Sequence, residues 1–285
     1  MTEPVDVRDW WSAQPMTYGG THGETNYDGG LVERGSREFF ELADRRFYSW
    51  NTPLHDPRPF GRLFPYDEYR GKKVLEVGCG MGAMTMNWAR AGAQMTAVDL
   101  TPTAVEQTRR RLEIFGLRAD VRQADGRKLP FEDGEFDYVY SWGVLHHSPD
   151  LDRSIAELMR VVRPGGGFGV MLYHRHSFLY GYMVRFLEGF LHYENRFLDP
   201  LALASRYGDG AREEGNPHTW PITKSEARDL FGKFSRDTRI DILGTDLDSI
   251  FPYVIPGFGE LLPAWFKKPW ARRFGWSLWM HGHRA

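Results

Sequence analysis

The sequence holds a single cysteine, Cys79. One thiol cannot form an intramolecular disulfide, and a cysteine-rich zinc site is excluded with it. Neither sign of charge dominates: 36 Lys and Arg face 38 Asp and Glu, for a formal net charge of −2. That argues against a protein built around a polyanion such as nucleic acid. No apolar run reaches the ~18 residues of a membrane-spanning helix, so none is expected. The start, MTEPVDVRDWW, has no apolar stretch after a basic segment, so no secretory signal is expected and the chain reads as cytoplasmic. Internal repeats and low-complexity tracts are absent. What is plentiful is aromatic: 19 Phe, 13 Tyr and 10 Trp make up 15% of 285 residues. Aromatic rings cover large areas at low entropy cost, which suits a large apolar pocket or interface.

The first 70 residues are mixed. Gly19, Gly20, Gly23, Gly29 and Gly30 break a polar stretch that also holds Tyr18, His22 and Tyr27. Ser36 then stands as N-cap to a helix through Trp50, with Phe39, Phe40, Leu42, Ala43 and Phe47 at helical spacing. Pro53, Pro57, Pro59 and Pro65 force an irregular connection. From Lys72 short apolar runs alternate with helices. Strands are expected at 73–77, 95–98, 119–124, 136–141 and 168–173, with helices at 82–90, from Thr101-Pro102 to about Phe115, and along the face Leu151, Ile155, Leu158 and Val162. Pro164-Gly165-Gly166-Gly167 is expected to stop that last helix. Thr223-Lys224-Ser225-Glu226 is a capping box, and further strands are expected at 239–243 and 276–280. This order implies a Rossmann-like α/β fold, a parallel sheet with helices on both faces.

Val74 to Gly82 runs from strand through glycines into helix. Glycines let a backbone turn sharply and come close to a ligand. The spacing is G-x-G-x-G, where the usual dinucleotide turn is G-x-G-x-x-G. Asp99 closes the next strand, about 20 residues on, where a carboxylate can take both ribose hydroxyls. Asp125 follows the third strand, placed to accept from an adenine amino group.

The segments LEVGCGMG, AVDL, ADGRKLPFEDGEFDYVYSWGVLHH and LMRVVRPGGG, in this order over about residues 72–174, resemble the successive motifs of class I S-adenosylmethionine-dependent methyltransferases. The resemblance is to the small-molecule branch that includes ubiquinone and menaquinone biosynthesis enzymes, and to bacterial relatives with no settled substrate. It implies seven strands with the last antiparallel, and S-adenosylmethionine as cofactor. By motif, Gly78, Cys79, Gly80 and Gly82 would line the methionine and ribose, and Glu76 would support the loop and reach the amino group. A purely structural role for Glu76 stays open. Asp99 would hold the ribose diol with Leu100 against the adenine, Asp125 and Gly126 would meet the adenine edge, and Ser141 and Trp142 would lie beside the methionine moiety.

Methyl transfer to a hydroxyl needs a proton acceptor, which suits a neutral histidine. His146-His147 follow the fourth strand and Tyr173-His174-Arg175-His176 the fifth. His174 is the candidate base, with Tyr173 as its orienting hydrogen-bond partner and His146 across the cleft. The histidine spacing matches no standard zinc pattern, and no metal is expected.

The chain divides into an N-terminal cap (1–70), a cofactor-binding core (71–174), a lid insertion (175–222) and a C-terminal completion of the sheet (223–285) with a second insertion at 246–274. Phe178 to Leu191 leaves little polar face, so this helix is expected to be buried nearly all round, as a lid, a homodimer interface or both. Residues 266–285 interleave Lys267, Lys268, Arg272, Arg273 and Arg284 with tryptophans. That reads either as a solvated helix before a packed strand or as a peripheral membrane contact. The function expected is O-methylation of a small hydrophobic or aromatic acceptor. C- or N-methylation, a nicotinamide-dependent oxidoreductase and a non-catalytic binding protein are the alternatives.

Overall fold

A computed structural model describes residues 7–13, 32–207, 216–244 and 263–285. The glycine-rich stretch holding Tyr18, His22 and Tyr27, and most of the 246–274 insertion, lie outside the described residues.

Two helices precede the sheet, α1 (Val7–Ala13) and α2 (Arg37–Trp50). Seven strands follow: β1 (Lys73–Val77), β2 (Gln94–Asp99), β3 (Asp120–Gln123), β4 (Phe136–Trp142), β5 (Val162–Tyr173), β6 (Arg239–Leu243) and β7 (Ser277–His283). They form one sheet in the order β3-β2-β1-β4-β5-β7-β6. The β1–β2, β1–β4 and β2–β3 pairs are parallel, while β7 runs antiparallel to both β5 and β6. This is the expected fold class, with the last strand reversed.

The chain splits into two compact units. The first comprises Arg8–Tyr140 and Arg160–Gly166. The second comprises Ser141–Met159 and Gly167–Ala285. This partition differs from the four sequence divisions, with three boundaries inside 71–174, after Tyr140, Met159 and Gly166.

The first unit carries β1–β3 with α3 (Ala83–Arg90) and α4 (Pro102–Ile114). The caps form as the sequence directs. The Ser36 side chain accepts from Phe39 N, and Thr101 accepts from Ala104 N with Pro102 opening the helix. Each such cap is worth about 1 kcal/mol. β1 is buried along four of its five residues, as a central parallel strand must be. Much of the aromatic complement packs here. Trp88 is fully buried among Phe64, Tyr66, Tyr69, Tyr138 and Tyr140.

The second unit carries α5 (Leu151–Val161), β5, a π-helix at Leu179–Leu191, α6 (Pro200–Tyr207), α7 (Lys224–Gly232), β6, α8 (Ala264–Phe274) and β7. The Thr223 capping box is formed in full. One expectation fails. β5 starts at Val162, so Pro164 to Gly167 lie inside the strand and do not separate it from α5. Gly166 makes this feasible: a Cβ there would sit 2.9 Å from the carbonyls of both Arg163 and Asp137. Within the single chain, the segment after β5 is buried on one side. Tyr180 and Val184 pack with Leu203 and Ala204, but Phe186, Phe190 and Leu191 are exposed.

Candidate cofactor and acceptor site

In the first unit the C-terminal end of β1 opens into Gly78, Gly80 and Gly82, with φ of 86°, 52° and 74°. Left-handed φ at alternate residues strains any side-chain-bearing residue, which accounts for the glycines. A Cβ at Gly80 would meet nothing within 4 Å, so the backbone there faces open room. Gly82 is different: it caps α3 and lies against Thr108, 2.9 Å from where a Cβ would be.

The loop is pinned from three sides. Gly78 N and Cys79 N donate to Val98 O at 2.7 and 3.1 Å. Asp99 Oδ2 accepts from Gly80 N at 3.0 Å, while Oδ1 accepts from the Thr101 backbone N–H and hydroxyl at 2.9 and 3.0 Å. From α4, the Thr108 hydroxyl donates to Gly80 O at 3.0 Å and Arg111 Nη1 to Met81 O at 3.1 Å. Arg111 is fully buried and paired with Asp44 of α2. Thr108 and Arg111 were missed in the sequence reading. Their signal was polar side chains on the same face as Ala104 and Leu112, three residues apart.

Glu76, on β1, is buried and accepts from the Thr85 hydroxyl. Burial pushes its carboxyl up to about 8, against the lowering effect of that hydrogen bond. Burial likewise raises the Asp99 carboxyl, opposed by the N–H groups of Thr101 and Gly80. Cys79 is buried, and its thiol is pushed well up by the same desolvation. Leu100 and Gly126 are half-buried, and Leu100 O accepts from Gln123 Nε2. Asp125 is forked by Arg127, whose Nη2 reaches Oδ2 at 2.7 Å and whose backbone N reaches Oδ1 at 2.8 Å. Arg127 is a third residue the sequence reading missed. Its presence leaves Asp125 only its remaining lone pairs for an adenine amino group.

In the second unit Ser141 is fully buried and Trp142 stacks near Trp279 at 5.7 Å. His146 is fully buried, and neither ring nitrogen has a hydrogen-bond partner among the described residues. Desolvation, then His147, holds its pKa well below the usual value, so the ring is neutral. Its ring lies 3.7 Å from that of Tyr173, which in turn lies 4.3 Å from Trp276. His147 Nδ1 pairs with His218 O at 2.8 Å.

His174 Nδ1 bonds to Gly275 O at 3.0 Å. A carbonyl only accepts, so Nδ1 carries the proton and Nε2 holds the lone pair in the neutral ring. Burial lowers the His174 pKa and keeps it in that form. Gly275 orients His174, and the Tyr173 ring lies with His146. Adjacent residues at a strand end project to opposite faces, which separates the two side chains.

A methyltransferase-domain family model matches residues 74–166. The ubiquinone biosynthesis O-methyltransferase of Aromatoleum aromaticum is 31% identical over 229 residues, covering 74% of this chain and 91% of that protein. The sterol 4-C-methyltransferase strm-1 of Caenorhabditis elegans is 36% identical over 96 residues, 33% of this chain and 29% of that one. A SAM-dependent methyltransferase structure from Methanosarcina mazei shares the fold at a TM-score of 0.53 and 18% identity, over 78% of this chain and 97% of that one. The sheet order and the glycine turn define a Rossmann-like methyltransferase. The chain belongs to the class I S-adenosylmethionine-dependent methyltransferases and takes S-adenosylmethionine as its methyl donor. The nicotinamide alternative falls with that assignment.

The residues fit this cofactor: open room at Gly80, a carboxylate at the end of β2 and a buried carboxyl on β1.

Proposed function

We propose that the enzyme methylates a hydroxyl oxygen on a small hydrophobic or aromatic acceptor. The observation that carries this reading is His174, a neutral imidazole held in one tautomer by Gly275, with a free lone pair on Nε2. When bound, S-adenosylmethionine supplies a methyl group on a sulfonium already activated for in-line displacement. What the protein adds is placement of the nucleophile and removal of its proton. In this reading His174 Nε2 takes the hydroxyl proton as the oxygen–carbon bond forms. The Gly275 carbonyl stabilises the resulting imidazolium through Nδ1–H. His146, Tyr173 and Trp276 form a tilted ring cluster behind His174 that would back an acceptor ring.

On the cofactor side, Asp99 takes the ribose hydroxyls, Glu76 the amino group, and Asp125 with Arg127 the adenine edge. The loop Gly78–Gly82 lies against the methionine and ribose, and Ser141 and Trp142 against the methionine moiety. We further propose that the segment 175–222 acts as a lid on the acceptor. The O-methyltransferase named above, matched along most of its length, supports oxygen as the atom methylated.

The test is incubation with methyl-labelled cofactor and a metabolite extract, with the product identified by mass spectrometry and carbon NMR. A label at a methoxy shift on an aromatic or prenylated product supports the reading. A label on carbon or nitrogen rejects it.

A further inference from the structure

Every large apolar side chain exposed among the described residues lies between 186 and 197 or at 265 and 270. Phe197 is 85% exposed, Trp265 74% and Phe190 62%. Isolated exposed apolar residues are ordinary, but a clustered set marks a surface that something covers. These two segments touch. Phe178, Tyr182, Phe186 and Phe190 stack in succession along the π-helix, with ring centroids 5.4, 5.8 and 6.0 Å apart. Phe178 at the base of this ladder packs edge-on to Trp270 of α8 at 6.4 Å. The ladder thus runs from α8 out to solvent.

Basic residues outnumber acidic ones around it. Arg185, Arg196, Arg272 and Arg273 are exposed, and the sequence adds Lys267 and Lys268 on α8, which has no acidic residue. Among the described residues no carboxylate pairs with Arg185, Arg272 or Arg273. The nearby acids are engaged locally: Glu188 with His192, and Glu194 with the Tyr207 hydroxyl and Arg206.

We propose that this face docks the enzyme on an anionic lipid membrane. Aromatic rings flanked by Arg and Lys suit the headgroup boundary, where rings enter the apolar edge and cations meet lipid phosphates. A second copy of the chain is a poorer occupant, because two α8 helices brought together would oppose like charges. The mode is peripheral: among the described residues no helix is long and apolar enough to cross a bilayer. The proposal is independent of the acceptor.

The experiment is flotation of the full chain with phosphatidylcholine vesicles, with and without phosphatidylglycerol. Anionic vesicles should bind at least tenfold more tightly than neutral ones, and added salt should weaken binding. At about fivefold per cation, Arg272→Gln with Arg273→Gln should cost roughly twentyfold on anionic vesicles and little on neutral ones. Phe186→Ser with Phe190→Ser should lower affinity for both by tenfold or more, with an unchanged melting temperature since both rings are already exposed. Equal binding to both vesicle types, no binding at all, or insensitivity to both double variants would overturn the proposal. So would a wild-type dimer in light scattering that Phe186→Ser with Phe190→Ser dissolves, because the face would then be a contact between copies. A soluble acidic protein that displaces the enzyme from no vesicle, yet binds this face in the absence of lipid, would also overturn it.

Discussion

Glu76 ties the fold's pH dependence to its cofactor. Its carboxyl is fully enclosed beneath the glycine turn, and burial raises its pKa from 4.5 to about 8. The sign follows from which state holds the proton. Below pH 4.5 the carboxyl is protonated in both folded and unfolded chains and costs nothing. Between 4.5 and 8 the folded chain keeps the proton that the unfolded chain releases, so stability falls as pH rises. Above 8 the loss is complete. At about 1.4 kcal/mol per unit, the shift amounts to roughly 5 kcal/mol. About 2 kcal/mol of it is already lost by pH 6.

Glu76→Gln removes the titration and keeps an acceptor for the Thr85 hydroxyl. The variant should therefore gain on the wild type by roughly 3 kcal/mol between pH 6 and 8.5. In a chain of this size that is about 5–10 °C of melting temperature. Thermal melts of both proteins across this range read it directly.

The cofactor reverses the sign for binding. An ammonium beside Glu76 favours the carboxylate, so wild-type affinity should climb with pH while Glu76→Gln binds weakly. The cofactor's own amino group titrates identically against both proteins and cancels in the ratio. Parallel melting profiles would refute the buried-proton argument. Parallel affinity profiles would return Glu76 to a purely structural role.

In the proposed assignment Asp99→Ala removes two charge-assisted hydrogen bonds to the ribose diol, each worth about 1.5–3 kcal/mol, so calorimetry should show cofactor affinity at least tenfold lower. Unchanged affinity would reject the ribose assignment. Arg111→Met leaves Asp44 buried without its cation and should cost about 3–5 kcal/mol in denaturant unfolding, most of it recovered when Asp44→Leu is added. His174→Ala should lower kcat by about 10²–10⁴-fold with cofactor affinity unchanged. A near-normal rate per folded molecule would remove the base while leaving the methyltransferase assignment intact.

The cofactor end of the fold was legible because local chemistry and global fold agree there. KVLEV can only be a buried strand, the turn after it needs left-handed backbone at alternate residues, and Ser36, Thr101 and Thr223 all cap as their neighbours demand. Polar side chains at Thr108 and Arg111 on the apolar face of α4 were a visible signal, but their role as loop clamps was not, because the loop groups they hold are backbone carbonyls and a carbonyl leaves no mark in a sequence. Arg127 was obscured in the same way: its partner is two residues away, yet a fork onto Asp125 looks like any surface charge pair. The PGGG tract misled because proline and glycine usually end elements. Here Gly166 is required by the close approach of two carbonyls inside the strand.

The segment after β5 shows a limit of a different kind. Hydrophobicity states that a face must be buried, not what buries it. Phe178, Tyr182, Phe186 and Phe190 repeat every fourth residue, and their spacing led to the expectation that the rest of the chain, a second copy or both cover them. Tyr180, Val184, Leu203 and Ala204 do close on one another, so one side of the helix obeys. The other side presents its rings outward beside a run of cations. From sequence alone, an apolar stripe meant for the chain's own core and one meant for an external apolar phase have the same composition. What separates them is the neighbouring helix. A stripe destined for the core gains nothing from basic residues at its edge, whereas a lipid surface, as proposed above, would attract both the rings and the charges. The basic stretch at 267–273 and the aromatic stretch at 178–190 are far apart in the chain, and only the fold brings Trp270 onto Phe178.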